Sequence, residues 1–307
     1  MRQRRKDSQH SGPDPNPLER PEIAAVPPSG LVLRTRSGSV SLARVALVGV
    51  INATPDSFFD ASRQPDPGGA ADAARAMVDA GAALLDVGAE STRPGAEPVS
   101  TDEELRRLLP VLRAVRAAVS VPLSVDTTKA EVARVAFAEG ADVVNDVSAG
   151  RFDAAMLPLV ATERVPVFLM HMQSTPVTMQ DDPRYTDVVA EVTVFLAERA
   201  RAARAAGVAA DAIVVDPGIG FGKTVEHNCQ LLRRLDAVVA LGYPVLVGVS
   251  RKGFIGRLVG GGAPAERLHG TAAAVALAVA AGARLVRVHD VAAMRDVVRV
   301  AEAVVGL

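Results

Sequence analysis

The sequence is short of several residue types, and each shortage narrows the possible functions. Its 307 residues include no tryptophan, two tyrosines and a single cysteine, Cys229. A lone cysteine has no partner for an internal disulfide, and no catalytic-cysteine signature surrounds it, so we interpret it as a structural thiol. Because this cysteine usage fits a reducing compartment, we expect a cytoplasmic protein.

The sequence also lacks an excess of charge of either sign, and it has no long apolar runs. The chain carries 34 Lys and Arg against 35 Asp and Glu, a net charge of −1, whereas nucleic-acid-binding proteins usually have a basic excess. No apolar run reaches the roughly 18 residues of a membrane helix. The charged, proline-rich start lacks the apolar core of a signal peptide. We therefore expect small-molecule substrates, with no nucleic-acid partner and no membrane segment.

The pattern of residues along the chain divides it into an N-terminal tail and one domain. Residues 1–30 have no periodic apolar positions and contain six prolines, so they predict a disordered tail. Residues 31–42, LVLRTRSGSVSL, predict a short β-hairpin that turns at Ser37-Gly38. No shift in composition divides the rest, and residues 31–307 are therefore assigned to a single domain.

Short apolar runs alternate with segments of helical spacing from residue 45 onward. The runs cover 45–51, 83–88, 121–125, 142–144, 165–170, 212–215, 244–249 and 284–288, and the helical segments include 69–80, 102–118, 129–139, 187–206 and 292–304. Several helical segments end at a glycine, the usual C-terminal stop. Eight strand–helix repeats in about 265 residues predict a (β/α)₈ TIM barrel preceded by the hairpin.

Polar residues follow every predicted strand, at the end where such barrels place their chemistry. An Asp or Asn after one strand is more often only a helix cap, but the repetition over eight strands favours a binding site. Asp126, Asn145 and Asp216 suit a flat heterocycle that presents N–H donors. A second polar group suits a phosphate or diphosphate, which Arg and Lys bind well and which barrels commonly hold at the loops after strands seven and eight. This group comprises Arg93, Ser250, Lys252, Arg287 and His289. Asn52 offers one oxygen ligand for Mg²⁺.

The glycine run DPGIGFGKTVEHN, residues 216–228, suggests a phosphate-binding P-loop at first sight. A P-loop requires a glycine where this chain has Pro217, which has no N–H to offer and a fixed φ. The spacing G-x-G-x-G also differs from the G-x-G-x-x-G of dinucleotide-binding folds. We therefore interpret the run as the loop after the sixth barrel strand, with its glycines beside the heterocycle and any phosphate elsewhere.

Eight motifs, in order, resemble the dihydropteroate synthase family, the folate-pathway enzymes targeted by sulfonamides. They are INATPDSFFD, LLDVGAESTRPGAEPVS, LSVDTTKAEVA, VVNDVSAG, FLMHMQSTPVTMQ, VVDPGIGFGKTVEHN, LVGVSRKGFIG and RVHDV. The resemblance covers roughly residues 45 to 300. It implies a pterin-binding TIM barrel that joins 6-hydroxymethyl-7,8-dihydropterin diphosphate to 4-aminobenzoate, giving 7,8-dihydropteroate and diphosphate. It also implies a homodimer formed through outer helices.

The resemblance further implies roles for individual residues. The pterin would be held and lined by Asp126, Asn145, Met170, Asp216, Phe221, Gly248 and Lys252. Arg287 would stack on the pterin and reach the diphosphate together with His289, while Asn52 would bind Mg²⁺. The second mobile loop would supply Thr92 and Arg93, and the aminobenzoate site would include Phe58, Pro94 and Ser250. Catalysis would depend on Asp60, Arg93, Lys252 and Arg287, with Asp60 stabilising a cationic transition state.

Some positions depart from the usual pattern of the family. Phe59, Ala61-Ser62 and Ala89 are unusual, and the FFDASRQPDP loop resembles that of sulfonamide-insensitive members, so Phe59 is hypothesised to alter inhibitor access. A methyltetrahydrofolate-binding methyltransferase barrel would not need TPDSF, SRK or RVHD, because it has no diphosphate to bind. A non-catalytic pterin-binding paralogue would be expected to have lost some of the motif residues that this chain keeps.

Overall fold

The computed structural model describes residues 31–53 and 66–307. The predicted tail, residues 1–30, lies outside the described residues. The same holds for residues 54–65 of the first predicted loop, which include Phe58, Phe59 and Asp60.

The predicted hairpin is confirmed and closes one end of the barrel. β1 (Val32–Arg34) and β2 (Ser39–Ser41) pair antiparallel, and the Thr35 N–H donates to the Gly38 carbonyl at 2.9 Å across the turn. The hairpin buries Leu33 and Val40 against the first inward-facing side chains of the barrel strands. Burial of this apolar layer stabilises the N-terminal end of the barrel, opposite the predicted site.

Eight parallel strands confirm the predicted barrel. They are β3 (Ala46–Asn52), β4 (Leu84–Gly88), β5 (Leu123–Asp126), β6 (Val143–Asp146), β7 (Val167–Met170), β8 (Ile213–Asp216), β9 (Leu246–Val247) and β10 (Leu285–Val288). Each strand pairs in parallel with its neighbours, and β10 pairs with both β3 and β9. A parallel bridge between Val215 and Val245 closes the ring between β8 and β9.

The strand β9 is shorter than the apolar run 244–249 predicted. Pro244 has no N–H for a ladder, although its carbonyl accepts from the Val215 N–H at 3.0 Å. At the other end the chain turns, and the Lys252 N–H donates to the Val249 carbonyl at 3.3 Å. The run is therefore extended over its middle residues only.

Helices surround the barrel. They are α1 (Pro67–Asp79), α2 (Thr101–Ala118), α3 (Ala130–Ala138), α4 (Met156–Glu163), α5 (Val188–Ala205), α6 (Val225–Arg233), α7 (Asp236–Val239), α8 (Gly253–Leu258), α9 (Leu268–Ala280) and α10 (Val291–Val305). The predicted glycine stops are confirmed, since Gly81, Gly140 and Gly282 follow helices with φ of 105°, 96° and 102°. Within the ranges that the structure describes, no helix is both long and apolar enough to cross a membrane.

Candidate active site

The carboxyl ends of the barrel strands enclose a polar cavity. Its lining comprises Thr92, Asp126, Asn145, Val147, Met170, Asp216, Gly218, Ile219, Phe221, Gly248, Lys252 and Arg287. Nine of the residues that the sequence marked for substrate contact are therefore brought to one cavity. Ser250 and His289 contact each other on the neighbouring strand ends, and Asn52 ends β3. Arg93 and Pro94 are exposed on the loop after β4.

The period of two along each strand explains why polar side chains meet here. Successive residues of a strand point to opposite faces, so positions two apart share a face. Leu84, Val143 and Val214 belong to the apolar layer at the hairpin end. The residues two positions later, Asp86, Asn145 and Asp216, form a buried polar layer above it. Leu246 and Leu285 are followed in the same way by Gly248 and Arg287.

Asp86 is the site residue that the sequence analysis missed. It is fully buried on β4 and accepts hydrogen bonds from Arg287 Nε at 2.6 Å and Asn145 Nδ2 at 3.0 Å, as well as from the Ser124 hydroxyl. A buried carboxylate needs such partners, because burial without them costs several kcal/mol. One feature of the sequence could have identified Asp86, namely its position as an acidic residue inside the apolar run ALLDVG. A carboxylate in a buried strand needs a partner of opposite charge or hydrogen-bond donors.

Arg287 lies between two carboxylates. Its Nε contacts Asp86 and its Nη2 contacts Asp126 Oδ2 at 2.9 Å, so the guanidinium is fixed in orientation. The other oxygen of Asp126, Oδ1, is buried and has no hydrogen-bond partner within the described part of the chain. Burial raises the pKa of Asp126, the nearby Asp86 charge raises it further, and Arg287 opposes both effects. The cavity wall therefore carries an acceptor that fits a ligand N–H donor.

The opposite wall carries Asp216 and Lys252. Asp216 Oδ1 accepts from the Gly218 N–H at 2.7 Å, and burial raises the pKa of Asp216 to about 6. Lys252 Nζ lies 4.0 Å from the centre of the Phe221 ring, within the range of a cation–π contact. Burial, followed by repulsion from Arg287, lowers the pKa of Lys252 to about 8. Carboxylates and cations thus face one small cavity, with the Phe221 ring available for stacking.

The glycine loop after β8 is shaped by its neighbours. Gly218, Gly220 and Gly222 all have positive φ, of 66°, 85° and 63°. A Cβ at Gly218 would lie 1.8 Å from the His171 carbonyl oxygen at the end of β7. The Asn228 side chain accepts from the Gly220 N–H at 2.6 Å. Gly218 is therefore required for the loop to pack against the end of β7, a requirement that could not be foreseen from the sequence.

We expect Gly218→Ala to disrupt this loop. A left-handed backbone costs a non-glycine residue about 1–2 kcal/mol, and the new methyl group would also have to displace the β7 carbonyl. We expect a total loss of about 3 kcal/mol in the free energy of unfolding, measured by urea denaturation. Gly260→Ala is the control, because Gly260 has a φ of 88° but its new methyl group would have no neighbouring atom within 4 Å. Equal losses for both variants would contradict the steric argument.

Lys223 is buried behind the glycine loop. Its Nζ lies 2.9 Å from His171 Nδ1 and 2.9 Å from the Phe221 carbonyl oxygen. Burial lowers the pKa of Lys223 to about 7, and burial with the Lys223 charge keeps His171 neutral by lowering its pKa. Lys223 therefore links the backbone of Phe221 to His171 at the end of β7. It does not itself line the cavity.

The loop after β4 is anchored by a partly buried cluster of charged side chains. Lys129 Nζ lies 2.8 Å from Glu90 Oε2 and 2.7 Å from Glu104 Oε2, and Glu90 also accepts from the Val99 N–H at 2.8 Å. These contacts hold both ends of the segment that carries Thr92 at the cavity. The unusual Ala89 is fully buried in the core, where its methyl group is accommodated.

The chain is similar to proteins of known activity over most of its length. The family described as pterin binding enzyme matches residues 48–289. A dihydropteroate synthase from Synechocystis is 45% identical over 260 residues, covering 85% of this chain and 90% of that protein. Xanthomonas albilineans dihydropteroate synthase with 4-aminobenzoic acid has a TM-score of 0.82 and 47% identity, covering 88% of this chain and 96% of that one. A complex from the same organism with 7,8-dihydropteroate has a TM-score of 0.78 and 44% identity, covering 88% and 97%.

Proposed function

The chain belongs to the pterin-binding enzyme family, and from its similarity to dihydropteroate synthases over most of its length we infer that it is one of these enzymes. It transfers a pterinylmethyl group from 6-hydroxymethyl-7,8-dihydropterin diphosphate to 4-aminobenzoate and releases 7,8-dihydropteroate and diphosphate. The similarity to enzymes of that name extends over 85% of the chain, and solved structures of such enzymes contain 4-aminobenzoic acid and 7,8-dihydropteroate.

Asp126 Oδ1, which has no hydrogen-bond partner among the residues that the structure describes, is the observation that carries the function in this structure. It lies in a cavity that also holds Asn145 and Asp216, so acceptors converge on a space lined by Phe221. A pterin presents ring and exocyclic N–H groups along its edges, and these match such acceptors. We assign pterin contact to this set, together with Met170, Gly248 and Thr92.

The reaction proceeds by displacement at the pterin methylene carbon. The bond from this carbon to the diphosphate oxygen breaks, and the amine nitrogen of 4-aminobenzoate forms the new bond and loses a proton. In our assignment Arg287, His289 and Lys252 stabilise the negative charge that develops on the leaving group. Arg93 and Pro94, exposed on the loop after β4, are assigned to the aminobenzoate side, where the loop would exclude water.

For residues outside the described ranges, the assignments stay predictions from the family resemblance. Asp60 is proposed to stabilise the cationic character at the methylene carbon, and Phe58 to contact aminobenzoate. Phe59 keeps its hypothesised effect on inhibitor access, which a sulfonamide inhibition constant unchanged in Phe59→Ser would contradict.

We propose that Mg²⁺ accompanies the diphosphate at the end of β3. Asn52 is the last residue of β3 and is half-buried beside Gly88. An amide oxygen is a hard ligand that Mg²⁺ accepts alongside water and phosphate oxygens. In residues 31–53 and 66–307, no group of three or more His, Cys, Asp or Glu forms a protein-only metal site. Asn52 would therefore hold the ion together with the substrate, and the ion would neutralise leaving-group charge.

One assay tests the function directly. Purified protein is incubated with the pterin diphosphate, 4-aminobenzoate and Mg²⁺, and diphosphate release is followed. We expect release that depends on 4-aminobenzoate. Pterin binding without such release would favour the non-catalytic paralogue, and methyl transfer from methyltetrahydrofolate would favour the methyltransferase. Both alternatives are disfavoured by the similarity to synthases along the chain.

The pH dependence of kcat/KM for the pterin diphosphate is expected to be bell-shaped. Asp216 has to be ionised to accept pterin N–H groups, so activity falls as the pH drops through about 6. Lys252 has to be charged, so activity falls as the pH rises through about 8. Lys252→Arg stays charged and should move the alkaline limb upward. Asp216→Asn should remove the contribution of Asp216 to the acid limb and leave that of Asp126, whose pKa burial also raises. An alkaline limb that does not move in Lys252→Arg would contradict the assignment.

We propose that the protein is a homodimer that associates through α9 and α10. These helices pack side by side, and each exposes large apolar side chains to solvent, with Leu277 at 61%, Val300 at 66% and Val304 at 80% exposure. Exposed apolar surface of this kind is typical of protein interfaces. Light scattering of the purified protein tests the proposal, since a monomer at micromolar concentration would contradict it. The cytoplasmic location stays a prediction from cysteine usage.

A further inference from the structure

Ser250 and His289 form a closed hydrogen-bonded pair beside the cavity. The His289 backbone N–H donates to Ser250 Oγ at 3.2 Å, and the same Oγ lies 3.0 Å from His289 Nδ1. Both residues are at strand ends that carry cavity residues, because Gly248 and Lys252 flank Ser250 and Arg287 precedes His289. From its sequence, Ser250 was predicted to belong to the phosphate-binding group and to the aminobenzoate site, and its contact with His289 adds a further role.

The direction of the second hydrogen bond follows from the number of donors and acceptors. A serine hydroxyl has one proton and can accept twice. If Nδ1 carried the proton and donated it, the Ser250 hydroxyl proton would have no acceptor among residues 31–53 and 66–307, although Ser250 is buried. If the hydroxyl donates to Nδ1, every group of the pair is satisfied. A buried donor without a partner is costly, so the arrangement in which the Ser250 hydroxyl donates to His289 Nδ1 is favoured.

The neighbouring acidic residue does not compete for the ring. Asp290 is held by the Arg251 guanidinium at 2.5 and 2.9 Å, which occupies both of its oxygens. Burial, with Arg287 and Arg251 nearby, lowers the pKa of His289 to about 4, so the ring is neutral near pH 7. A neutral ring that accepts at Nδ1 carries its proton on Nε2.

The turn that presents Ser250 is backbone-strained and held in place. Arg251 has a φ of 59°, in the left-handed region that costs a non-glycine residue about 1–2 kcal/mol. The Thr271 hydroxyl accepts the Arg251 N–H at 3.0 Å, and Arg267 donates to the Arg251 carbonyl at 2.9 Å. Such strain persists when the surroundings fix the conformation, and it is common at functional sites. Here it allows Ser250 to reach His289 while Lys252 reaches Phe221.

We propose that Ser250 is a positioning residue that fixes His289 as a neutral Nε2–H donor to a phosphate oxygen of the diphosphate. This inference rests on the proposed function, because it concerns the leaving group of that reaction. Arg287 and Lys252 supply charge at the site, whereas His289 supplies one directed hydrogen bond. A neutral donor of this kind does not have to gain a proton in order to bind the anion.

The tautomer can be measured without any turnover. Long-range ¹H–¹⁵N spectra of the imidazole rings distinguish Nε2–H, Nδ1–H and doubly protonated histidine, and the chain has only five histidines. The His289 signals are assigned by their loss in His289→Gln. We expect the Nε2–H form at pH 7 in the unliganded protein. Ser250→Ala should give a mixture of tautomers, and Ser250→Thr, which keeps the hydroxyl, should restore the Nε2–H form.

Inorganic diphosphate with Mg²⁺ is the binding probe, measured by calorimetry. Losing one hydrogen bond should weaken its affinity about three- to tenfold in Ser250→Ala. His289→Gln places an N–H near the Nε2 position and should retain more affinity than His289→Asn, which mimics Nδ1. Adding Ser250→Ala to His289→Gln should have no further effect, because the two residues act as one unit.

The outcomes separate this inference from the proposed function. An Nδ1–H or doubly protonated His289 at pH 7, or an unchanged tautomer in Ser250→Ala, would overturn the inference even if the enzyme turns over normally. Absence of aminobenzoate-dependent diphosphate release, together with an Nε2–H ring, would overturn the function and leave the Ser250–His289 geometry intact. Thermal unfolding of each variant checks that it is folded, and Ser250→Thr provides the test if Ser250→Ala is not.

Discussion

An Asp86→Ala variant is expected to lose most of its activity and a large part of its stability. The substitution removes the carboxylate that binds Arg287, Asn145 and Ser124. It leaves a partly buried guanidinium with Asp126 as its remaining carboxylate partner in the described ranges. Breaking a buried ion pair from one side typically costs about 3–5 kcal/mol. We expect that loss in the free energy of unfolding, measured by denaturant titration monitored by circular dichroism.

The activity of Asp86→Ala should fall because Arg287 loses its fixed orientation. A misplacement of about 1 Å can reduce the rate by roughly 100-fold, so we expect kcat/KM to fall by at least about that factor. Asp86→Asn keeps the size and one acceptor oxygen and should fold better than Asp86→Ala while remaining impaired. The surface control is Asp72→Ala, since Asp72 pairs with Arg75 in an exposed ion pair, which is worth at most about 1 kcal/mol. Equal stability of the Asp86 and Asp72 variants would show that the buried network is unimportant.

Asp216→Ala is expected to abolish most pterin affinity while leaving the barrel folded. Hydrogen bonds to a charged group contribute about 1.5–3 kcal/mol each, so losing two to a bound pterin should weaken binding roughly 10²- to 10⁴-fold. Calorimetry with the pterin diphosphate, in the absence of 4-aminobenzoate, measures this directly. Lys252→Ala should also weaken binding, because it removes the cation beside Asp216 and Phe221.

Arg93→Ala is the matched comparison for Asp216→Ala. Arg93 is exposed on the loop after β4 and is absent from the cavity lining. Its loss should lower kcat with much less effect on the affinity for the pterin alone. If Arg93→Ala and Asp216→Ala weaken pterin binding equally, the division of the site into a pterin wall and a mobile-loop side is wrong.

Much of the architecture could be predicted because it depends on short-range pattern. Strand-length apolar runs, helical spacing and glycine stops act over a few residues, and the barrel, its hairpin and the stops at Gly81, Gly140 and Gly282 follow from them. The strand-end rule then located Asp126, Asn145 and Asp216 in one cavity. Asp86 was missed because it lies inside an apolar strand, and the partner that explains its charge, Arg287, is 201 residues away along the chain.

The glycine run at residues 216–228 shows what the sequence alone determines and what only the tertiary structure decides. The sequence alone excluded a P-loop, because Pro217 has no N–H to give and this holds in any fold. It could not tell what Gly218 is needed for, since that depends on the His171 carbonyl of a neighbouring strand. In the same way, residue types identified Ser250 and His289 as polar strand-end residues, but which nitrogen of His289 carries the proton depends on a hydroxyl 39 positions away. The sequence alone determines the chemistry of the local backbone. Packing distances and hydrogen-bond directions are decided only by the tertiary structure, because they depend on strands that are distant in sequence.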